Sequence, residues 1–262
     1  AWPEAPICCT LRLGKGTTLS VATKHASHTL QATLNMQGVL QQPAQQEGPL
    51  NLRITEIFYS LQGEARTMGV PTVFVRLTGC PLRCSWCDTE YAFHGGESRD
   101  LEAVVEEVLE HGATHVTVTG GEPLAQPECR ELLRRLCDTG LNVSIETSGA
   151  LDIADLDERV SVVMDLKAPG SGESERNRWA NLEHLGAGDQ LKFVLADRRD
   201  YDWARMQLDQ YNLAARVDEV LFSPAWEQLP AAELAQWILE DHLPVRFQMQ
   251  LHKLLWGEAP GR

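Results

Sequence analysis

No run of this chain approaches eighteen consecutive apolar residues, so nothing in it reads as a membrane span. Basic residues are scarce: 23 Lys and Arg stand against 37 Asp and Glu, a formal charge of −14. That balance argues against a nucleic-acid partner, because such affinity rests largely on cations neutralising phosphates. It leaves room for a local basic pocket that takes a small anion. The seven cysteines are an odd count, and three of them crowd one short loop, so no disulfide framework is expected and a reducing cytoplasm is the compartment that fits. The chain also lacks a charged start followed by an apolar stretch, and no secretory leader is expected.

The first fifty residues have little amphipathic period. They are rich in Thr, Ser, Gln and Gly and include the run Gln41-Gln42-Pro43-Ala44-Gln45-Gln46, and the first methionine is Met36. Residues 1–50 are therefore expected to form a poorly ordered extension or linker without an activity of its own. Cys8 and Cys9, adjacent within it, carry no interpretation.

What is present suffices for a core, since 43% of the 262 residues are hydrophobic. From Leu52 onward strands alternate with helices. Leu52 to Tyr59 and Thr72 to Leu77 are β-rich, Leu101 to His111 is an amphipathic helix closed by Gly112, and Thr114 to Thr119 is a β-branched strand. A helix runs from Pro127 to Gly140, where Cys129 and Cys137 read as buried free thiols. Further strands are predicted at Asn142 to Ile145, Val160 to Asp165, Gln190 to Leu195, Glu219 to Phe222 and Val245 to Met249, with helices near Arg199 to Gln210 and Ala231 to Asp241. Repeated strand-helix units imply a parallel sheet covered by helices, either an open doubly wound sheet or a barrel. Residues 51–262 fall short of a closed eight-stranded barrel, so the expected class is α/β with an incomplete parallel (β/α) barrel. In that fold chemistry gathers at the strand C-termini, where this chain places its most unusual residues.

Cys80-Pro81-Leu82-Arg83-Cys84-Ser85-Trp86-Cys87 puts three thiols at CxxxCxxC spacing directly after a strand. No fourth cysteine follows nearby. Three thiolates fill a tetrahedral zinc site incompletely, but they suit a [4Fe-4S] cluster with one iron left open. A zinc knuckle completed by His94 is the competing reading. Thr119-Gly120-Gly121-Glu122-Pro123 follows one βα unit later, with glycines where backbone must approach a ligand closely or adopt positive φ. Glu146-Thr147-Ser148 and Asp165-Leu166-Lys167 end the next two strands, as ligand contacts or as capping and ion-paired groups. Asp88-Thr89 offers hard oxygens suited to Mg²⁺, or closes the loop as an Asx turn. Arg76 could fork onto a carboxylate, and Gln62 could both donate to and accept from a heterocycle edge. Gln248, Gln250, His252 and Lys253 alternate at the last strand's end and form a second tier of candidates.

The cysteine loop, with Trp86 before its last cysteine, and the GGEP that follows resemble the radical S-adenosylmethionine superfamily. Taken with SLQGE at 60–64, VRLTGC at 75–80, DLK at 165–167 and QLKFV at 190–194, the region from Leu52 to the C-terminus resembles the 7-carboxy-7-deazaguanine synthase family of queuosine and deazapurine biosynthesis. That resemblance implies a homodimer, one [4Fe-4S] cluster on Cys80, Cys84 and Cys87, S-adenosylmethionine, and Mg²⁺ on Thr89. It implies a pterin substrate, 6-carboxy-5,6,7,8-tetrahydropterin, held by Leu61, Gln62, Gly63, Arg76 and Thr119, with S-adenosylmethionine held by Gly121, Asp165, Leu166 and Lys167. The implied reaction is a radical ring contraction with loss of ammonia, fed by an electron donor such as a flavodoxin. In the family the C-terminal end also closes over the substrate. Two rivals are an activase that abstracts hydrogen from a partner protein's glycine, sharing the cluster and GGEP, and a zinc-bound interaction module without turnover.

Overall fold

The computed structural model describes residues 8–13, 17–22, 33–34 and 40–41, and then 50–257, 259 and 261. Met36, the glutamine run beyond Gln41, and Glu258, Pro260 and Arg262 lie outside the described residues. The chain divides into two units, 1–48 and 49–262. In the first, β1 (Cys8–Leu13) pairs antiparallel with β2 (Thr17–Ala22), and β3 (Thr33–Leu34) pairs antiparallel with β4 (Leu40–Gln41). The composition of this stretch pointed to no such elements.

The second unit is built on one nine-stranded sheet. Its strands are β5 (Asn51–Leu61), β6 (Pro71–Leu77), β7 (Glu97–Asp100), β8 (His115–Gly120), β9 (Asn142–Thr147), β10 (Ser161–Asp165), β11 (Gln190–Leu195), β12 (Glu219–Pro224) and β13 (Arg246–Phe247). The order is β13-β12-β11-β10-β9-β8-β6-β5-β7, with no pairing between the two outer strands among the described residues. From β6 to β13 every pairing is parallel, whereas β5 runs antiparallel to both β6 and β7. The sheet is an incomplete barrel with an antiparallel edge.

The crossovers between parallel strands carry α1 (Leu101–Glu110), α2 (Cys129–Asp138), α3 (Arg198–Gln210) and α4 (Ala231–Glu240), and α5 (Leu251–Trp256) ends the fold. Asp100 caps α1 by accepting from the amides of Glu102 and Ala103, and Gly112 at φ +66° stops the chain just beyond it. One continuous apolar core joins the buried faces of α1 to α4 to Val73, Val75, Val116, Ile145, Met164, Phe193 and Phe222 of the strands. Cys129 and Cys137 are buried in it as free thiols. No helix among the described residues is long and apolar enough to cross a membrane.

The last predicted strand needs correction. Only Arg246–Phe247 pairs with β12, and His252 and Lys253 lie on α5 rather than alternating along a strand. Gln248 turns away into the core, where its amide group bonds both the N–H and the C=O of Ala65 at 2.9 Å.

Candidate active site

A cavity of about 650 Å³ opens at the C-terminal ends of the parallel strands, and each of them supplies part of its wall. The cysteine loop follows β6, Thr119 to Gly121 end β8, and Glu146 to Ser148 end β9. Asp165 and Lys167 come from β10, Lys192 and Val194 from β11, Trp226 to Gln228 follow β12, and Gln250, His252 and Lys253 follow β13. Leu61 to Glu64 leave the antiparallel strand and run across the others. Gln62 donates to Thr117 of β8 at 3.1 Å and to Glu146 of β9 at 3.2 Å, Glu64 pairs with Lys192 of β11, and Ala65 bonds Gln248 beyond β13. One short segment thus laces together strands that the open sheet leaves apart.

The glycines of the GGEP segment are required by close contact, Gly120 with the backbone of Leu77 on β6 and Gly121 with the start of the cysteine loop. A Cβ on Gly121 would stand 2.3 Å from the carbonyl oxygen of Gly79 and 2.8 Å from the Cβ of Cys80, so only glycine lets β8 seat against the thiols' backbone. Glu122 is fully buried and acts as a latch: its carboxylate accepts from the Thr147 hydroxyl at 2.8 Å, the Ser148 amide at 2.7 Å and the Ser148 hydroxyl at 2.5 Å. Those two hydroxyls are committed to the fold. Glu146 remains, bonded by Gln62 and by Thr119 at 3.3 Å.

Charge in this cavity is concentrated and mostly internal. Lys192 lies against Glu64 and 3.7 Å from Asp165, whose same oxygen takes Lys167 at 3.0 Å. Burial raises the Glu64 carboxyl, but Lys192 and the amide of Gln250 outweigh it and hold the group below its ordinary value. Glu146 shifts upward, through burial first and then the neighbouring Glu64 charge. Asp88, on the cysteine loop, is held below its ordinary value because Lys253 at 3.1 Å overcomes the cost of burial. Gln250 reaches both Glu64 and Asp88, and the ring of His252 sits where a Cβ on Gly63 would stand. The short helix α5 is therefore fastened over two cavity-lining segments that lie far from it in sequence.

Arg76 lines the cavity and donates through Nε to Glu56 at 2.7 Å, its guanidinium flanked by the rings of Phe58 and Tyr91. Leu61, Gln62, Gly63, Thr119, Gly121, Asp165, Lys167 and Thr89 meet at the same cavity. Leu166 does not: its side chain is packed in the core, and its amide donates to the Lys192 carbonyl. Glu56, Glu64 and Lys192 escaped the sequence reading. Only the last two stood inside motifs, SLQGE and QLKFV, that could have signalled them.

The donor set suits the iron-sulfur cluster that the motif calls for. Cys80, Cys84 and Cys87 are free, partly exposed and all face the cavity. Burial pushes the Cys84 thiol up to about 11 and raises Cys80 as well. His94 is exposed and does not line the cavity, so the zinc reading loses its fourth ligand. Asp165, which lines the same cavity, has its Oδ1 buried without a hydrogen-bond partner among the described residues, an acceptor that a polar ligand would satisfy.

A cysteine triad after the first parallel strand, backed by close-packed glycines on the next, defines a radical S-adenosylmethionine protein, and the profile of the Radical SAM superfamily matches residues 74–170. The 7-carboxy-7-deazaguanine synthase of Koribacter versatilis is 42% identical over 220 residues, covering 78% of this chain and 97% of that protein. Its counterpart from Chlorobaculum tepidum is 42% identical over 215 residues, covering 80% and 96%. The chain belongs to the 7-carboxy-7-deazaguanine synthase family. The solved structure of QueE from Escherichia coli shares the fold, with a TM-score of 0.65 at 24% identity over 77% of this chain and 95% of that one.

Proposed function

We propose that the chain converts 6-carboxy-5,6,7,8-tetrahydropterin to 7-carboxy-7-deazaguanine with loss of ammonia, as a carbon-nitrogen lyase of queuosine biosynthesis. The observation that carries this reading is the joining, in one cavity, of the thiol loop with a cationic end at Arg76 and a polar, amide-bearing wall at Gln62, Thr119 and Glu146. An anionic heterocycle needs both. When bound, the cluster and S-adenosylmethionine supply the hydrogen-abstracting chemistry.

The chain's own residues bind, orient and enclose. Cys80, Cys84 and Cys87 would hold the cluster, and Gly121 with Asp165 and Lys167 would hold S-adenosylmethionine, while Leu166 anchors that segment to β11 through its amide. The two terminal nitrogens of Arg76, which have no hydrogen bond among the described residues, would take the substrate carboxylate. Gln62, with the backbone of Leu61 and Gly63, and Thr119 would set the ring's rotation. Thr89 would complete a Mg²⁺ site that the substrate carboxylate shares, and helix α5 limits access by water. A homodimer, a flavodoxin-type electron donor and a cytoplasmic setting accompany this reading by family resemblance. Anaerobic reconstitution followed by addition of S-adenosylmethionine, reductant and the pterin should yield a deazaguanine acid detectable by mass spectrometry. Cofactor cleavage without that product would refute the substrate assignment.

A further inference from the structure

The cysteine loop is braced from outside the cavity by a turn whose anchor lies on another helix. Between Ala168 and Glu173, just beyond Lys167 and the strand β10 that Asp165 ends, the chain folds into a tight turn. Its Ser171 hydroxyl donates to the Ala168 carbonyl at 2.6 Å, and Gly172 sits at φ +78°. That turn meets the loop in three hydrogen bonds. The Ser85 hydroxyl donates to the Gly170 carbonyl at 2.7 Å, the Ser85 amide to the Ser171 carbonyl at 3.0 Å, and the Arg83 amide to Glu173 Oε1 at 2.5 Å. Ser85 is the first of the two residues between Cys84 and Cys87, so the seam grips the loop between two of its thiols. On the near side Arg83 donates through Nη1 to the carbonyls of Cys80 at 2.8 Å and Leu82 at 2.6 Å, and its guanidinium stacks 4.2 Å from the Phe93 ring.

The turn itself is held by Asp200 of α3. This carboxylate is 1% exposed; its Oδ1 accepts from the Gly170 amide at 2.8 Å and its Oδ2 from the Ala196 amide at 3.1 Å. The fit leaves no slack, since a Cβ on Gly170 would lie 2.5 Å from Oδ2. A buried carboxylate is costly unless its hydrogen bonds are made, and both of these go to backbone that leads to the thiol loop or to the end of β11.

We propose that Asp200, the Gly170–Ser171 turn and Ser85 form one brace that preorganises the cysteine loop for its cluster and ties it to the strand presenting Asp165 and Lys167. Asp200 is a positioning residue that touches neither cluster nor substrate. The brace rests on the cluster assignment above and adds to it a route by which α3 controls how firmly iron is kept.

The test compares anaerobically reconstituted wild type, Ser85→Ala, Asp200→Asn and the double variant. The measurement is the rate of iron loss to a ferrous chelator at a temperature far below unfolding, with thermal unfolding of each apo-protein recorded alongside. Each single change should speed iron release roughly five-fold, the scale set by one ordinary hydrogen bond, and the double variant should speed it by less than the product of the two single effects, because the two residues act through one turn. Single-variant rates equal to wild type, or effects that multiply as independent sites, would overturn the brace. Should Asp200→Asn fail to fold, Ser85→Ala paired with Glu173→Gln carries the same comparison across the seam. A wild-type chain that takes up no iron and sulfide would instead refute the cluster assignment itself, so the two failures are distinguishable.

Discussion

Glu56 and Arg76 face each other across antiparallel strands, and the Glu56 carboxylate takes the Arg76 Nε at 2.7 Å while also accepting the Tyr91 hydroxyl at 2.8 Å. The pairing register shifts between Ile54 and Glu56, a local irregularity of the kind that re-aims a side chain at a functional site. Holding Arg76 by Nε leaves its two terminal nitrogens without a hydrogen bond among the described residues, with two aromatic rings beside the guanidinium.

Arg76→Ala should therefore weaken binding of the carboxylated pterin by roughly ten-fold to a hundred-fold, the range for a charge-assisted hydrogen bond, and should weaken its decarboxylated analogue much less. Glu56→Ala should erode the same discrimination although the guanidinium remains. Calorimetric titration of both ligands checks this, and equal losses for the two would contradict a carboxylate pair.

Thr89→Ala should leave iron and sulfide content intact while lowering turnover and changing its dependence on added Mg²⁺. Thr89 lies in the cavity wall with its hydroxyl 3.7 Å from the Cys87 sulfur, so the comparison must include cluster quantification. Identical Mg²⁺ titrations for wild type and variant would count against a magnesium ligand at this position.

Glu146 supplies a pH prediction. Its carboxyl is raised above 4.5 by burial and by Glu64, so the folded state holds its proton to higher pH than the unfolded chain does. Stability from this group is fully present below the unfolded value and is lost as pH rises from about 4.5 through the folded value. Glu146→Gln, which imitates the neutral carboxyl, should gain thermal stability over wild type as pH rises across that window. A stability difference that does not change with pH would contradict the upward shift.

Much of this architecture could be read in the sequence, and the reasons are local. The strand Gln190–Leu195 has the bounds its apolar run indicated, and α1 matches the amphipathic helix expected from Leu101 to within a residue of its end, with Gly112 just beyond. The thiol loop and the GGEP glycines are short-range motifs whose chemistry depends on spacing. What escaped depends on long-range contact. Lys192 becomes part of the site only because Glu64, 128 residues earlier, is brought beside it. Polar residues recurring at every second position near the C-terminus mimic strand alternation, but Glu64 and Asp88, which bond Gln250 and Lys253, fasten a helix there instead. Thr147 and Ser148 read equally as ligand contacts or as capping groups, a choice that sequence leaves open because the partner of both hydroxyls, the buried Glu122, lies 25 and 26 residues away.

The central claim is that three cysteines tether a cluster whose remaining iron is free to bind S-adenosylmethionine. The most direct measurement is the electron paramagnetic resonance spectrum of the anaerobically reconstituted, chemically reduced protein, before and after S-adenosylmethionine is added, with Cys84→Ala as control. The account predicts a four-iron signal in the wild type that changes when the cofactor binds, and loss of that signal in the variant. A wild-type spectrum indifferent to S-adenosylmethionine, or a variant that keeps the full signal, would contradict it.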